Sequence, residues 1–504
     1  MSLFINTNIA SLYAQNNVAN SQTALATSIQ RLSSGLRINS AKDDAAGMAI
    51  AARMTSQIGG MTQAAQNAND GISLAQTAEG ALAQVTNDLQ TMRNLAVQAA
   101  NGTNSASDRS SIQASITQLQ ADINQISSNT QYNGLNLLDG TLTNVQFQVG
   151  ANANQTINAS IGTSSANSIG NNQVLTVGKI DNAVSGTGTA GTIADIPVNN
   201  VTSGTLTVAG NGAAASSALT ITAGETAFAI ATAVNGASNI TGVTATATTT
   251  ATLNISGIGT SGNSVSLTLV GANNAKVTIS ATPTSSSDVT SLTAQINAAS
   301  TSTGITAIAG ANGTIQLSQA QGYDIGVLNN NATATTTLTG GNGAGPKTLA
   351  AYATAGDAAT VGGQVSYNSP GSFTVTDSGT NIVAATATTT ASALSAVSTV
   401  DVTKLSTAGV PIGANNALAV VDAAINTING LRANLGALQN RFSNAQSSLT
   451  TTSTNMQQAR SRIQDTDFAA ETANLTHNQI LQQAGTAMLA QANALPNSVL
   501  TLLK

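Results

Sequence analysis

Hydrophobic positions recur at helical spacing near both ends of the chain and alternate in its middle. Ile58, Met61, Ala65, Ala68, Ile72, Ala75, Leu82 and Leu89 follow steps of three and four, with Glu79 and Thr86 on two polar beats. Val85, Met92, Ala96 and Ala99 carry the stripe onward. This predicts one helix over 58–99, roughly 63 Å long at ~1.5 Å per residue. Gly59, Gly60, Gly71 and Gly80 interrupt it, each weakening it by up to about 1 kcal/mol relative to Ala. A second run, Ile112, Ile116, Leu119, Ile123 and Ile126, predicts another helix, with Ser107 as its cap and Asp108 as its first-turn acid. Toward the other end, Leu418, Val421, Ile425, Ile428, Leu431, Leu435, Leu438, Phe442, Ala445 and Leu449 repeat the pattern, and Met456, Ala459 and Ile463 extend it. A single narrow stripe cannot be buried alone, so these helices are expected to pack against one another.

The outermost segments carry thinner stripes. Ile5, Ile9, Leu12, Val18, Leu25, Ile29 and Leu32 mark 5–32, and Leu481, Ala484, Met488, Leu495, Val499 and Leu502 mark 475–503, which Pro496 is expected to interrupt. Isolated helices of this kind are marginal in water and order against each other or against neighbouring subunits. Between the helical ends, Asn133-Gly134 signals a turn, and Val145, Phe147 and Val149 alternate as a strand with Ile157 and Ile161 as its partner. The middle also repeats itself. Asn235 followed by Thr241-Gly242-Val243-Thr244-Ala245 recurs 62 residues later as Asn297 followed by Thr303-Gly304-Ile305-Thr306-Ala307. Each copy is expected to form a short helix, a turn and two strands.

Composition sharpens this division. The first 140 residues carry 14 charged side chains and the last 100 carry 9, leaving 12 for the 264 between, where 31 of the 45 glycines lie. Only 7% of the 504 residues are charged and 2% aromatic, with no Trp, so a dense enzyme-like core is not expected. One His and no Cys remove Cys/His zinc sites, disulfides and the two-His metalloprotease motif. The net charge of −5 supplies no basic face for nucleic acid. No run approaches ~18 consecutive apolar residues, so no membrane insertion is expected. The opening MSLFINTNIASLYAQ lacks the pattern of a secretory signal, so an extracellular chain would need a dedicated export route.

No catalytic, metal or cofactor site emerges. Two G-x-G-x-x-G matches, Gly186-Gly188-Gly191 and Gly257-Gly259-Gly262, lack the strand-before, helix-after context of a nucleotide fold. Asp43-Asp44 and the group Asp465, Asp467 and Glu471 lie beside helix starts and basic residues (Lys42, Arg460, Arg462), which predicts dipole and ion-pair roles.

The run Arg31-Leu32-Ser33-Ser34-Gly35-Leu36-Arg37-Ile38-Asn39-Ser40-Ala41-Lys42-Asp43-Asp44-Ala45-Ala46-Gly47 resembles the signature of bacterial flagellins. Leu95-Ala96-Val97-Gln98, Asn133-Gly134, Arg441-Phe442, Ala459-Arg460-Ser461-Arg462-Ile463 and Gln479 through Asn493 are similar to it as well. Within that signature Arg31, Leu32, Ser33, Ser34, Gly35, Asp43, Asp44 and Gly47 are the family residues. The resemblance covers about 1–150 and 410–504. It implies a structural subunit of the flagellar filament, exported by the flagellum's own type III apparatus and located outside the bacterial cell. Its implied partners are other copies of the chain, the export apparatus, a flagellin chaperone, the filament cap and hook-associated proteins. The implied fold is α+β and multidomain, a long coiled-coil-like helical bundle from both chain ends with a β-rich inserted middle. The expected divisions are an inner-tube helix over 1–42, shell parts over 43–177 and 405–462, a surface insert over 178–404, and a second inner-tube helix over 463–504. Subunit contacts are expected at Ile5, Ile9, Leu12, Leu25, Ile29, Leu32, Leu481, Ala484, Met488, Leu495, Val499 and Leu502.

The same resemblance marks Leu89, Gln90, Thr91, Arg93, Leu95, Gln98 and Ser115 as an immune-receptor patch. Flagellins recognised by the animal Toll-like receptor carry Arg and Glu where this chain has Thr91 and Ser115, so weak recognition is expected. The alternative readings are a hook–filament junction protein, expected to match the terminal signatures less fully, and a surface adhesin with a ligand-binding insert, which would not need both of them.

Overall fold

A computed structural model of the chain describes residues 7–502 apart from 176–179, 189–195, 211–214, 217, 257–263, 284–287, 311, 332–333, 342–344, 351–355, 384–386 and 406–410. Helices α1 (Ile9–Ser34), α2 (Ala45–Ala99) and α3 (Ala106–Asn129) come from the N-terminal end. Short helices α4 (Ala227–Gly236), α5 (Ser238–Thr241), α6 (Thr290–Ala298) and α7 (Ser300–Thr303) stand among the strands of the middle. Helices α8 (Ile412–Gln464) and α9 (Phe468–Leu502) come from the C-terminal end. Helical ends and a strand-rich middle are the α+β organisation that the stripes predict. Two compact units result: one of Met1–Gln76, Asn144–Ser160 and Gly436–Lys504, the other of Thr77–Thr143 and Ile161–Leu435.

Three helix boundaries differ from the sequence expectation, each for a local reason. α2 starts at Ala45, not 58, because Ala45, Ala46, Ala49, Ala51 and Ala52 favour helix without needing a stripe. The cap of α3 is Ser105, not Ser107. The Asp108 N–H donates to Ser105 Oγ at 3.2 Å while Asp108 Oδ2 accepts from the Ser105 N–H at 2.9 Å, a reciprocal capping box. α9 begins at Phe468, where the Asp467 carboxylate accepts from the N–H groups of Ala469 and Ala470 at 2.9 and 3.2 Å, and it continues through Pro496.

In the first unit, Phe442 is fully buried among Ala68, Ile157, Ala159 and Leu438. Its ring meets Phe147 edge-on, with centroids 5.2 Å apart and planes at 77°. Phe147 faces Ile157 across the strands Val145–Gln148 and Thr156–Ala159, the hairpin that the alternation predicts. Ile161 lies beyond it. The ring also fills the space above Gly71: a Cβ there would lie 2.6 Å from Phe442 Cζ. Gly71 is therefore a slot that lets α2 and α8 close on one aromatic side chain.

In the second unit, α2 buries Leu82, Val85, Leu89, Met92, Ala96 and Ala99. Arg93 Nε donates to Asp422 Oδ1 of α8 at 2.6 Å. α3 uses amides where most proteins use charges: Gln113 Nε2 donates to the Val400 carbonyl and Gln113 Oε1 accepts from the Val402 N–H. Buried Gln120 donates to the Val397 carbonyl at 2.7 Å.

The 62-residue repeat is visible atom by atom. Asn235 brackets Ala245, donating to its carbonyl at 2.8 Å and accepting from its N–H at 2.7 Å, and Asn297 does the same to Ala307 at 2.9 and 2.7 Å. Gly242 and Gly304 end α5 and α7 with φ of +68° and +69°. The copies then diverge. The second forms the expected hairpin, Ile305–Ala309 with Thr314–Gln319. The first forms one 13-residue strand, Thr244–Ser256. Thr248, Thr250 and Ala251 occupy the places of Gly310, Asn312 and Gly313; the last two take positive φ, which β-branched and bulky residues avoid. The long strand pairs with Gln364–Ser369 along its first half and with Thr314–Gln319 and Thr335–Gly340 along its second. Ala245 lies in one hydrophobic core, and Ala251, Leu253 and Ile255 lie in another.

Two carboxylates here, the buried Asp377 and the half-buried Asp324, behave oppositely. Burial pushes Asp377 upward, but donors on Thr380, Val383 and Gly379 outweigh it and hold the carboxyl below its ordinary value. Asp324 has the Asn199 amide as its hydrogen-bond donor, and burial pushes it up to about 7.

Two predictions follow from these contacts. Gly71→Ala is expected to lower stability by about 1–3 kcal/mol through overpacking against Phe442. Gly80→Ala, where an added Cβ meets nothing within 4 Å, is expected to raise it by about 0.5–1 kcal/mol. Denaturant titration of both variants checks the opposite signs. For Asp324 the folded pKa lies above the unfolded one, so its contribution is full below about pH 4 and is lost as pH rises through about 7. Asp324→Asn is expected to flatten that dependence and to stabilise the unit at pH 8 by a few kcal/mol, on the order of the shift. Thermal melts between pH 4 and 8 measure it.

Candidate assembly site

α1 and α9 lie antiparallel against each other in the first unit, joined by the loops that connect them to α2 and α8. α1 stops at Gly35, whose φ of +69° makes the left-handed cap and whose N–H donates to the Arg31 carbonyl. The chain then forms a short antiparallel bridge between Leu36 and Asp465. The Arg37 N–H donates to Gln464 O at 2.7 Å and Arg37 Nη2 to Ile463 O at 2.5 Å, so a cation sits on the carbonyl end of α8. The Thr466 N–H returns a bond to Gly35 O at 2.9 Å.

The rest of the signature shapes the entry to α2. Asp43 Oδ2 accepts from the N–H groups of Ser40 and Asn39 and from Ser40 Oγ, which holds its carboxyl below the ordinary range, the Ser40 backbone first. Asp44 accepts from the Gly47 N–H at 2.8 Å, and Gly47 is bare because a Cβ would lie 2.7 Å from Ile38 Cδ1. Leu32 is half-buried; Ser33 and Ser34 are exposed. The acidic group does take helix-start and ion-pair roles, but Glu471 pairs with Arg31 at 3.9 Å, a partner 440 residues away in sequence and not a neighbouring Arg460 or Arg462.

The seam between α1 and α9 is built from small side chains. Ser11, Val18 and Ser28 are buried on α1, and Ala492 on α9. Val18 sits where a Cβ on Gly485 would lie 2.8 Å away. Such a seam leaves most of the apolar stripe uncovered. Ile9, Leu12 and Ile29 are about half exposed, as are Leu481 and, more so, Met488 at 64%. Leu25 is half-buried, and Ala484 is exposed. Tyr13 and Ile480, each one position off the stripe, are exposed too, as is Phe468, which precedes the 475–503 segment. Ile5 lies outside the described residues, and α9 passes through Leu495, Val499 and Leu502 without their side chains being described.

The receptor patch is scattered in its exposure. Leu89 is fully buried in the second unit's own core, and Leu95 is half-buried. Gln90, Thr91, Arg93 and Gln98 are exposed on α2, and Ser115 is exposed on α3. Thr91 Oγ1 donates to its own helix at Asn87 O, and Arg93 is engaged with Asp422. Among the described residues no group of three His, Cys, Asp or Glu is placed to hold a metal ion, and no helix is long and apolar enough to cross a membrane.

Residues 5–143 match the family model of the bacterial flagellin N-terminal helical region, and residues 418–503 that of the C-terminal helical region. Across its full length the chain is 45% identical to the B-type flagellin of Pseudomonas aeruginosa, also covered in full. It is 36% identical to a flagellin of Salmonella rubislaw and 38% identical to one of Salmonella muenchen, with all of both chains covered in each case. Uncovered apolar stripes on paired terminal helices, with matches of this extent, establish that the chain belongs to the bacterial flagellins, the structural subunits of the flagellar filament.

Proposed function

We propose that the terminal helices polymerise the subunit and that the expected contact residues Ile9, Leu12, Leu25, Ile29, Leu32, Leu481, Ala484 and Met488, with Ile5, Leu495, Val499 and Leu502, become buried between copies. The observation that carries this is the exposure of apolar side chains on both helices of a seam too thin to cover them. Each fully buried large side chain contributes about 1.5–3 kcal/mol, and summed over both helices this can outweigh the cost of association. A head-to-tail contact that does not close generates an open helical polymer. In this reading 1–42 and 463–504 form the inner tube, 43–177 and 405–462 the shell, and 178–404 the outer surface. The filament then lies outside the cell. Export through the type III apparatus, a flagellin chaperone that covers the exposed stripes before assembly, the filament cap and hook-associated proteins complete the partner set. Its role is structural and not enzymatic.

We also propose weak recognition by the animal Toll-like receptor. Thr91 offers a hydroxyl already bonded to its own helix, where a guanidinium could make bidentate, charge-assisted contacts.

Subunits lacking 1–32 or 475–504 are expected to fold yet fail to elongate filament seeds. Electron microscopy of seeded reactions checks this, and normal filaments from either truncation would overturn the assembly role. In a cell reporter assay on depolymerised protein freed of lipopolysaccharide, Thr91→Arg is expected to raise signalling and Ser115→Glu to raise it further. Strong activation by the native chain, unchanged by both substitutions, would refute the receptor reading.

A further inference from the structure

Pro496 lies inside α9. Proline has no N–H, so the carbonyl of Ala492, four residues earlier, has lost its helical donor. That carbonyl accepts a hydrogen bond from Asn8 Nδ2 at 2.8 Å. Ala492 is only 7% exposed, so solvent is a poor substitute. Asn8 is at the same time the N-cap of α1, its Oδ1 accepting from the Ser11 N–H at 3.1 Å. Ser11 Oγ in turn donates to Asn493 Oδ1 at 2.7 Å. One amide therefore starts one helix and repairs the other.

The register of α1 on α9 is set at the loop end of the pair by the Leu36–Asp465 bridge and the Arg31–Glu471 ion pair. At the far end the small-residue seam gives little apolar grip, and an unsatisfied buried carbonyl there would oppose docking of the helix ends. We propose that Asn8 is a pin made necessary by Pro496: the proline strands one carbonyl on α9 and Asn8 satisfies it, so that the far ends of α1 and α9 dock without that cost when the subunit enters the filament. This rests on the reading that the terminal helices are the assembly elements. Asn8 and Pro496 act as positioning residues for that step.

The test is a double-mutant cycle on the full chain, read as the ratio of variant to wild-type subunits in filaments grown on seeds from equal mixtures and counted by mass spectrometry. Asn8→Ser keeps a good cap acceptor but removes the longer amide whose N–H reaches the Ala492 carbonyl. Its incorporation is expected to fall about fivefold or more, the effect of stranding a buried acceptor. Pro496→Ala restores an N–H to the Ala492 carbonyl and is expected to enter filaments within about twofold of wild type. In that background Asn8→Ser is expected to cost less than about twofold. An equal loss in both backgrounds, no loss from Asn8→Ser in the native chain, or exclusion of Pro496→Ala by itself would each overturn the pin. Those outcomes leave the assembly role of the termini standing, whereas normal incorporation of subunits lacking 475–504 would reject that role itself.

Discussion

The constraint on which this molecule depends is the narrowness of its helical stripes. With few large side chains and 7% charge, the long helices α1, α2, α8 and α9 carry stripes too narrow to be buried alone, and each meets a helix from the opposite end of the chain. Phe442 of α8 enters the slot at Gly71 of α2, and Arg93 of α2 reaches Asp422 of α8. Val18 of α1 rests on Gly485 of α9. The pairing succeeds where one partner is small enough to admit the other. It leaves apolar surface exposed on α1 and α9, where both partners are small, and this is the surface proposed to be buried between copies.

Scarcity of charge also decides how the elements are joined. Where a more ordinary protein would use ion pairs, this one uses amides: Gln113 and Gln120 hold the segment before α8, and Asn235 and Asn297 bracket their strands. Charges are concentrated where backbone groups would otherwise be unmatched. Arg37 covers the carbonyl end of α8, Asp467 the N–H end of α9, and Asp43 three donors in the turn before α2. The flagellin signature at 31–47 is thus a set of solutions to helix ends.

The helices were legible because periodicity is a local property, and the hairpin at 145–159 because alternation is. What sequence could not give depended on distant partners. Glu471 has Arg460 and Arg462 only 11 and 9 residues before it, yet its ion-pair partner is Arg31, since antiparallel pairing of α1 and α9 brings residues 440 apart together. Pro496 carries a general rule against helix interiors, and the rule yields because Asn8 supplies the missing donor from the other end of the chain. The first repeat copy matches the second closely enough to suggest the same hairpin. It differs at the three positions where threonine and alanine replace residues able to turn. The exposed Tyr13 and Ile480 fall one position off the stripe and Phe468 lies before it, so the exposed apolar surface of α1 and α9 is broader than periodicity alone marks.

The strand Thr244–Ser256 shows what that lost turn achieves. A strand places alternate side chains on opposite faces, and thirteen residues are long enough to serve two cores in succession. Ala245 faces the core that contains Ile230, Val234 and Tyr367; Ala251, Leu253 and Ile255 face the core that contains Leu292, Ile296 and Leu317. Each core has its own repeat helix, α4 in the first and α6 in the second. A hairpin in the first copy would have ended the strand before it reached the second core. One continuous strand instead shares its hydrogen-bond ladder between both. The two cores of the insert are thus joined by shared backbone pairing as well as held by their own buried side chains.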